Sequence, residues 1–265
     1  MAQGMKGKNA RYPAVGVIAA LCVTFVGMAS AQDAVPTEIL QRTLMIRTST
    51  EQGTGFLIDH GGKLYMVTAR HVVAGLPSEN ATLQARHDGQ WLDLHASKIL
   101  YPASAKVDIA VLVTDEVATK PYSIGCVSKG SGGPTMGQQV WFLGFPFFEG
   151  LSSHLRRSDA PSVEFPFIKR ATMSAIDGSD PDATVLYFDG FNNRGFSGGP
   201  ILYWDFTDHV YRILGVVQGY RNDTAQVPIN GQPVDTNILV NSGILVAYSI
   251  DDAIKAIDKD QEKTK

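Results

Sequence analysis

Cysteine is almost missing from this sequence, with only Cys22 and Cys126 among 265 residues. Cys22 falls in an N-terminal segment that reads as a removable leader, so one thiol remains and no intrachain disulfide can form. Cys126 sits in SIGCV with no Cys or His motif around it, which suits packing better than catalysis or metal binding. A strong charge of one sign is also missing: 23 Lys and Arg stand against 26 Asp and Glu, a formal net charge of −3. That balance argues against nucleic acid or an anionic membrane as the main partner. There is no long low-complexity run and no evident repeat. The apolar run Ala14 to Val26 spans 13 residues, well short of the ~20 that cross a bilayer as a helix.

What is present begins with that run. Lys6, Lys8 and Arg11 precede it and Ala29-Ser30-Ala31 follows it. Basic front, apolar stretch and A-x-A site in that order describe a secretory signal peptide over residues 1–31, cut before Gln32. The expectation is a periplasmic or secreted protein with no membrane attachment after cleavage. Its 234 mature residues carry 20 basic and 26 acidic side chains, a formal charge of −6. Without disulfides, such a chain must rest on its apolar core.

Short β-type runs dominate the mature chain: TLMIRT from Thr43, then segments such as Leu64 to Thr68, Ile109 to Val113, Val140 to Gly144, Val185 to Phe188 and Val210 to Gln218. Turn-forming strings such as DHGGK and IDGSDPD separate them, a pattern that predicts an all-β barrel or sandwich. One helix is predicted where Ser249 precedes Asp252 and apolar Ala253, Ile254, Ala256 and Ile257 follow at helical spacing. A shorter helical turn is expected after Thr68, and a frayed tail from Lys259. The Gly-, Pro-, Ser- and Lys-rich stretch near 121–136 reads as a linker between residues 32–120 and 137–265. Two barrels or one large sandwich both fit this composition. The long segment Phe145 to Pro166 reads as a lid or specificity loop.

Residues 192–201 read NNRGFSGGPI. Such Ser, Gly and Pro clusters often mark ordinary turns, but the same string can hold a strained nucleophile. A neutral serine hydroxyl needs a base, a carboxylate to orient that base and donors for the developing oxyanion. His60 and His87 lie in Gly/Asp turns, His154 in a polar loop, His95 after the alternating WLDLH, and His209 at a strand start. His71 differs because it ends the apolar strand of YMVTARHVV, where a side chain is held firmly yet can reach a cleft. Asp108, in KVDIAVLV, stands at the edge of a strongly apolar strand, a setting that part-buries a carboxylate. Asp93 and Asp88 are weaker rivals.

In these contexts and in this order, His71, Asp108 and Ser197 make the sequence resemble the trypsin-like (chymotrypsin-fold) serine peptidases. TARHVV resembles that family's histidine motif, DIAVL its aspartate motif and GFSGGP its serine motif, while GTGFLID is similar to a strand of the bacterial exported branch that includes the HtrA peptidases. The resemblance implies two six-stranded antiparallel β-barrels with a cleft between them; from the stretch after residue 250, no PDZ-type module is expected. It implies His71 as general base and acid, Asp108 as its orienting partner and Ser197 as nucleophile. It also implies an oxyanion hole from the amides of Gly195 and Ser197. By the same alignment, Phe191 lies at the floor of the specificity pocket and Gln218, Gly219 and Tyr220 form its walls. The expected activity is hydrolysis of peptide bonds in a protein or peptide substrate through an acyl-enzyme, with no cofactor and no metal.

One position departs from the pattern. Many members carry Asp just before the nucleophile, where it pairs with a newly released N-terminus; here that residue is Phe196. Activation by N-terminal insertion is therefore not expected; either packing of Phe196 holds the loop, or the loop is ordered only on binding substrate or a partner. A peptidase-like binding module without useful turnover is the competing expectation. An α/β-hydrolase elbow also fits G-x-S-x-G, but Gly198, Gly199 and Pro200 are poor helix starters and only His209 follows. His87, Asp88, Asp93 and His95 cluster locally without a recognised metal-ligand spacing, and a solvated hairpin explains them better.

Overall fold

Strands that are apolar on both faces dictate the architecture. In β1 (Thr43–Arg47), β2 (Gln52–His60), β3 (Lys63–Thr68) and β6 (Ala110–Val113), nearly every residue from Leu44 to Leu112 that faces inward is buried. Because successive side chains point to opposite sides of a strand, each of these strands feeds two cores. Leu57, Met66, Ala110 and Leu112 point into one barrel, whereas Phe56, Ile58, Tyr65, Val67 and Val111 point away from it into a second cluster. A run such as FLI or YMV therefore shows no polar alternation.

The computed structural model describes residues 1, 34–87, 89–114, 133–147, 153–157, 160–229 and 232–263. From Val35 onward they belong to one compact unit. A short helix α1 (Thr37–Gln41) leads into β1. With β4 (Glu79–His87) and β5 (Gln90–Leu100), the first six strands close an antiparallel barrel in the order β1-β2-β3-β6-β5-β4. The seam pairs Ile46 with Ala85 and Arg47 with Gln84. The second barrel comprises β7 (Gln139–Gly144), β10 (Phe167–Asp180), β11 (Ala183–Asp189), β12 (Pro200–Asp205), β13 (Val210–Ile229) and β14 (Gln232–Ser249). It closes in the order β10-β11-β14-β13-β12-β7. Between β7 and β10, β8 (Ser153–Arg157) and β9 (Ala160–Phe165) form a separate two-stranded hairpin. The expected fold class, two six-stranded antiparallel barrels with a C-terminal helix, is the one found.

That helix, α2 (Ile250–Lys263), starts where Ser249 Oγ accepts the amide of Asp251. Its Ile250, Ala253, Ile254 and Ile257 enter the cluster that also contains Phe56 and Val111 of the first barrel and Trp141, Leu143 and Ile213 of the second. The helix thus seals the seam between barrels. It does not fray at Lys259. Gln261 donates to the Tyr65 hydroxyl at 3.1 Å, His60 Nε2 lies 2.7 Å from Asp258 Oδ1, and Lys98 pairs with Asp260. These first-barrel partners keep the last turn helical.

Other differences from the sequence pattern have equally local causes. The strand at Glu79–His87 was not expected because its exposed face is polar; only Ala81, Leu83 and Ala85 point inward. It pairs with β5 from Glu79↔Lys98 to His87↔Gln90, making the hairpin that carries Asp93 and His95. The Phe145–Pro166 segment is not a plain loop, since it contains β8 and β9, and Arg86 Nε clamps it to the first barrel at 2.8 Å from Glu164 Oε2. Residues 2–31 of the expected signal peptide, Cys126 and most of the 121–136 linker lie outside the described residues.

Shortening Ile257 to Ala, which opens a void at the fully buried seam, is expected to cost about 2–5 kcal/mol. Urea titration should show a lower midpoint at an unchanged slope.

Candidate active site

His71 sits in a short 3-10 turn, Arg70–Val73, that follows β3. The turn forms because Val72 and Val73 bury into the first barrel while His71 and Arg70 are left toward solvent. Asp108 lies just before β6, and β3 pairs with β6 through Thr68↔Ala110. Strand pairing therefore sets the two side by side. Asp108 Oδ2 accepts from His71 Nδ1 at 2.6 Å, and Oδ1 accepts from the His71 backbone amide at 2.9 Å. Both carboxylate oxygens are committed to one residue. This fixes the neutral imidazole with its proton on Nδ1 and leaves Nε2 as an acceptor. The hydrogen bond to Asp108 raises the His71 pKa above 6.5; burial opposes it, and the charges of Asp108 and Glu51 add to it. The imidazole remains 45% exposed against 14% for Asp108.

Ser197 belongs to the turn ahead of β12. Its backbone carbonyl accepts from Thr54 N at 2.8 Å, and Gly198 N donates to the Val217 carbonyl at 2.8 Å. Its hydroxyl donates to the carbonyl of Gln218 at 3.1 Å. No hydrogen bond joins Ser197 to His71 among the described residues. Gln218, Gly219 and Tyr220 line a cleft of about 710 Å3 together with His71 and Asp108. Past Val216, where pairing with β12 ends, β13 pairs only with β14 among the described strands, so one backbone edge faces this cleft.

Both amides expected as oxyanion donors are unengaged: among the described residues, those of Gly195 and Ser197 donate to no protein acceptor. Gly195 adopts φ +103°, and a Cβ there would fall 2.0 Å from the Phe145 carbonyl oxygen, so only glycine fits. Phe196 is fully buried and packs edge-to-face on Phe142 at 5.0 Å between ring centroids. The contact is so close that a Cβ at Gly144 would come within 2.5 Å of the Phe196 ring. Phe191, expected at the pocket floor, is instead 56% exposed and does not line the cleft.

Sequence reasoning passed over Lys169. Its ammonium donates to the Phe191 carbonyl and, at 2.9 Å, to Asn193 Oδ1. It lies 5.4–5.8 Å from the rings of Phe191, Phe196 and Phe142, and burial lowers its pKa. The loop 191–196 is thus gathered around a cation on β10. Thr54 and Thr68, also unremarked, supply buried hydroxyl bonds: Thr54 Oγ1 donates to the Gly195 carbonyl at 2.7 Å and Thr68 Oγ1 to the Thr54 carbonyl at 2.8 Å. A lone Lys or Thr in a β run carries no signal for such a role. No group of three or more His, Cys, Asp or Glu is arranged to hold a metal ion among the described residues.

Residues 53–207, more than half of the chain, match the model of the trypsin-like peptidase domain. No curated protein matches the sequence. Among solved structures, Deg5 is 18% identical with a TM-score of 0.52, covering 83% of this chain and 88% of its own. The serine endoprotease from Yersinia pestis is 18% identical with a TM-score of 0.50, covering 85% of this chain and 67% of its own. A variant of the HtrA-type protease AlgW with a tripeptide is 17% identical with a TM-score of 0.50, covering 84% and 60%. At these identities the likeness is one of fold.

Replacing Lys169 by Met keeps its length and removes its charge. Loss of the charge-assisted bonds to Phe191 and Asn193 is expected to speed amide exchange at Phe196 and Gly199, whose amides bond within the loop, about tenfold, with strand amides of the first barrel unchanged.

Proposed function

The chain belongs to the trypsin-like peptidase family, and from that premise we propose that it is an exported serine endopeptidase that cuts protein or peptide substrates through an acyl-enzyme. The observation that carries this reading is the two-point bond of Asp108 to His71, 2.6 Å at the imidazole and 2.9 Å at the amide. That bond leaves Nε2 free to act as a base, and Ser197 of GFSGGP donates to Gln218, a residue that lines the same cleft as His71.

In this reading the substrate backbone lies along the free edge of residues 218–221, as an added strand. Ser197 Oγ turns from the Gln218 carbonyl to His71 Nε2 and attacks the scissile carbonyl carbon as the imidazole takes its proton. The amides of Gly195 and Ser197 receive the oxyanion. Collapse expels the amine, which takes the proton back from His71, and a water repeats the sequence on the ester to free the acid and restore the hydroxyl. Phe196 and Lys169 order the loop without a released N-terminus. Residues 1–31 act as the signal peptide, giving a periplasmic or secreted enzyme with barrels in residues 32–120 and 137–265 joined by 121–136. No helix among the described residues is long and apolar enough to cross a membrane.

The bond from Ser197 to Gln218 rather than to His71 favours a second reading, a peptidase-like module that binds peptide without turnover. Labelling by a fluorophosphonate separates the two. Covalent labelling that Ser197→Ala abolishes is expected for the enzyme, and absence of labelling between pH 6 and 10 would establish the binding module instead.

Two further outcomes follow from the geometry. Asp108→Asn, which leaves the wrong imidazole tautomer, is expected to lower kcat by about 10⁴-fold. Because the base must be neutral, activity should rise with pH through a midpoint above 6.5, the ordinary value that Asp108 and Glu51 raise. Glu51→Gln removes one raising charge and should move that limb to lower pH. A limb unmoved by this change, measured as kcat/KM at low salt, would place the titration on another group.

A further inference from the structure

The cleft beside His71 has a charge opposite to that of the chain. Although acidic residues outnumber basic ones overall, 26 to 23, its walls carry Arg70, Lys106 and Arg221, and Asp108 is their one carboxylate. Both oxygens of Asp108 are taken up by His71. Arg70 rests its guanidinium 4.6 Å over the ring of Tyr101, and Arg221 reaches the Tyr187 hydroxyl at 3.4 Å. Among the described residues neither has a carboxylate partner. Lys106 lies 3.2 Å from Asp180 and is 79% exposed, a pairing weakened by solvent. Tyr187, Tyr220 and Tyr248 also line the cleft, giving flat apolar area beside the cations.

We propose that this cleft reads an acidic side chain, Asp or Glu, on the substrate polypeptide a few residues from the bond to be cut, with Arg221 and Arg70 as the recognising groups. The inference rests on the peptidase reading only in laying the substrate along residues 218–221. Arg221 ends that edge, and Arg70, the chain neighbour of His71, lines the same cleft, so a strand placed there runs past both residues. A carboxylate gains two charge-assisted hydrogen-bond donors that are already held in place by aromatic partners. A lysine at the same position meets three like charges.

The test measures binding rather than turnover. Fluorescent peptides of one sequence, with Glu, Gln or Lys scanned through successive positions, are titrated against the full chain carrying Ser197→Ala. At one position Glu is expected to bind about tenfold more tightly than Gln at low salt, a margin of ~1.4 kcal/mol that shrinks as ionic strength rises. Arg221→Glu should reverse the preference toward Lys. Arg70→Gln, a milder change, should reduce the Glu margin even if the first variant fails to fold. Equal binding of Glu and Gln peptides at every position, or no binding of any, overturns the proposal. Hydrolysis of uncharged peptides by the unaltered chain, together with equal binding, would overturn it while leaving the peptidase standing. A Glu preference in a chain that no fluorophosphonate labels would do the reverse.

Discussion

A single threonine joins the two halves of the site. Thr54 is fully buried on β2. Its amide donates to the Ser197 carbonyl, its hydroxyl donates to the Gly195 carbonyl and accepts from the Phe145 amide, and its carbonyl accepts from Thr68. Every polar group of a first-barrel residue is therefore used, two of them on the loop that carries Ser197. Thr68 pairs with Gly55 across β2 and β3, and His71 follows three residues later. The same few bonds therefore hold the loop of Ser197 and set where His71 begins. Leaving one such buried partner unsatisfied costs about 1–3 kcal/mol, enough to shift the loop even though the barrels keep folding. The glycines nearby have the same cause: a Cβ at Gly198 would fall 2.2 Å from the Thr54 carbonyl and 2.3 Å from the Thr68 hydroxyl.

Phe196 changes how the rest of the loop is held. A carboxylate in that position would need a cation brought to it, whereas a phenyl ring needs only apolar walls, and Phe142 with its barrel neighbours supplies them. The cation is still present, but it acts on the outer part of the loop. Lys169 binds the Phe191 carbonyl and the Asn193 side chain, and Asn193 in turn accepts the Phe196 amide at 3.4 Å. Order here comes from burial and from one lysine fixed by the barrel strand, neither of which depends on where the chain is cut.

The fold was legible because strands buried on both faces leave long apolar runs, and because Ser249 and Asp252 mark a helix start in residues alone. Strand Glu79–His87 was not, since half of its side chains face water and its pairing with β5 is a long-range fact. Likewise, His71 was picked out from five other histidines by the apolar strand before it, and Asp108 by the strand after it, and these two do meet. Phe191 was assigned to a pocket by alignment alone; side-chain direction in a Gly- and Asn-rich turn depends on Lys169, which lies 22 residues earlier. The basic cleft was invisible for the same reason. Arg70, Lys106 and Arg221 are scattered in a chain whose total charge points the other way.

The hydroxyl of Ser197 links these parts. In the free protein it donates to the Gln218 carbonyl, and Gln218 begins the unpaired edge. Exchanging that bond for one to His71 Nε2 replaces one neutral hydrogen bond with another. Each is worth about 0.5–1.5 kcal/mol net, so in the proposed reading the exchange changes the hydrogen-bond energy little. A peptide paired along residues 218–221 brings an amide toward the same carbonyl. The carbonyl has two lone pairs, so the amide need not expel the hydroxyl, but it weakens the hydroxyl's hold by sharing its acceptor. On the proposed reading, a backbone on the edge then tips the balance toward the imidazole. In the proposed peptidase reading, the resting position of Ser197 is thus compatible with a nucleophile that substrate binding aligns, through one backbone oxygen.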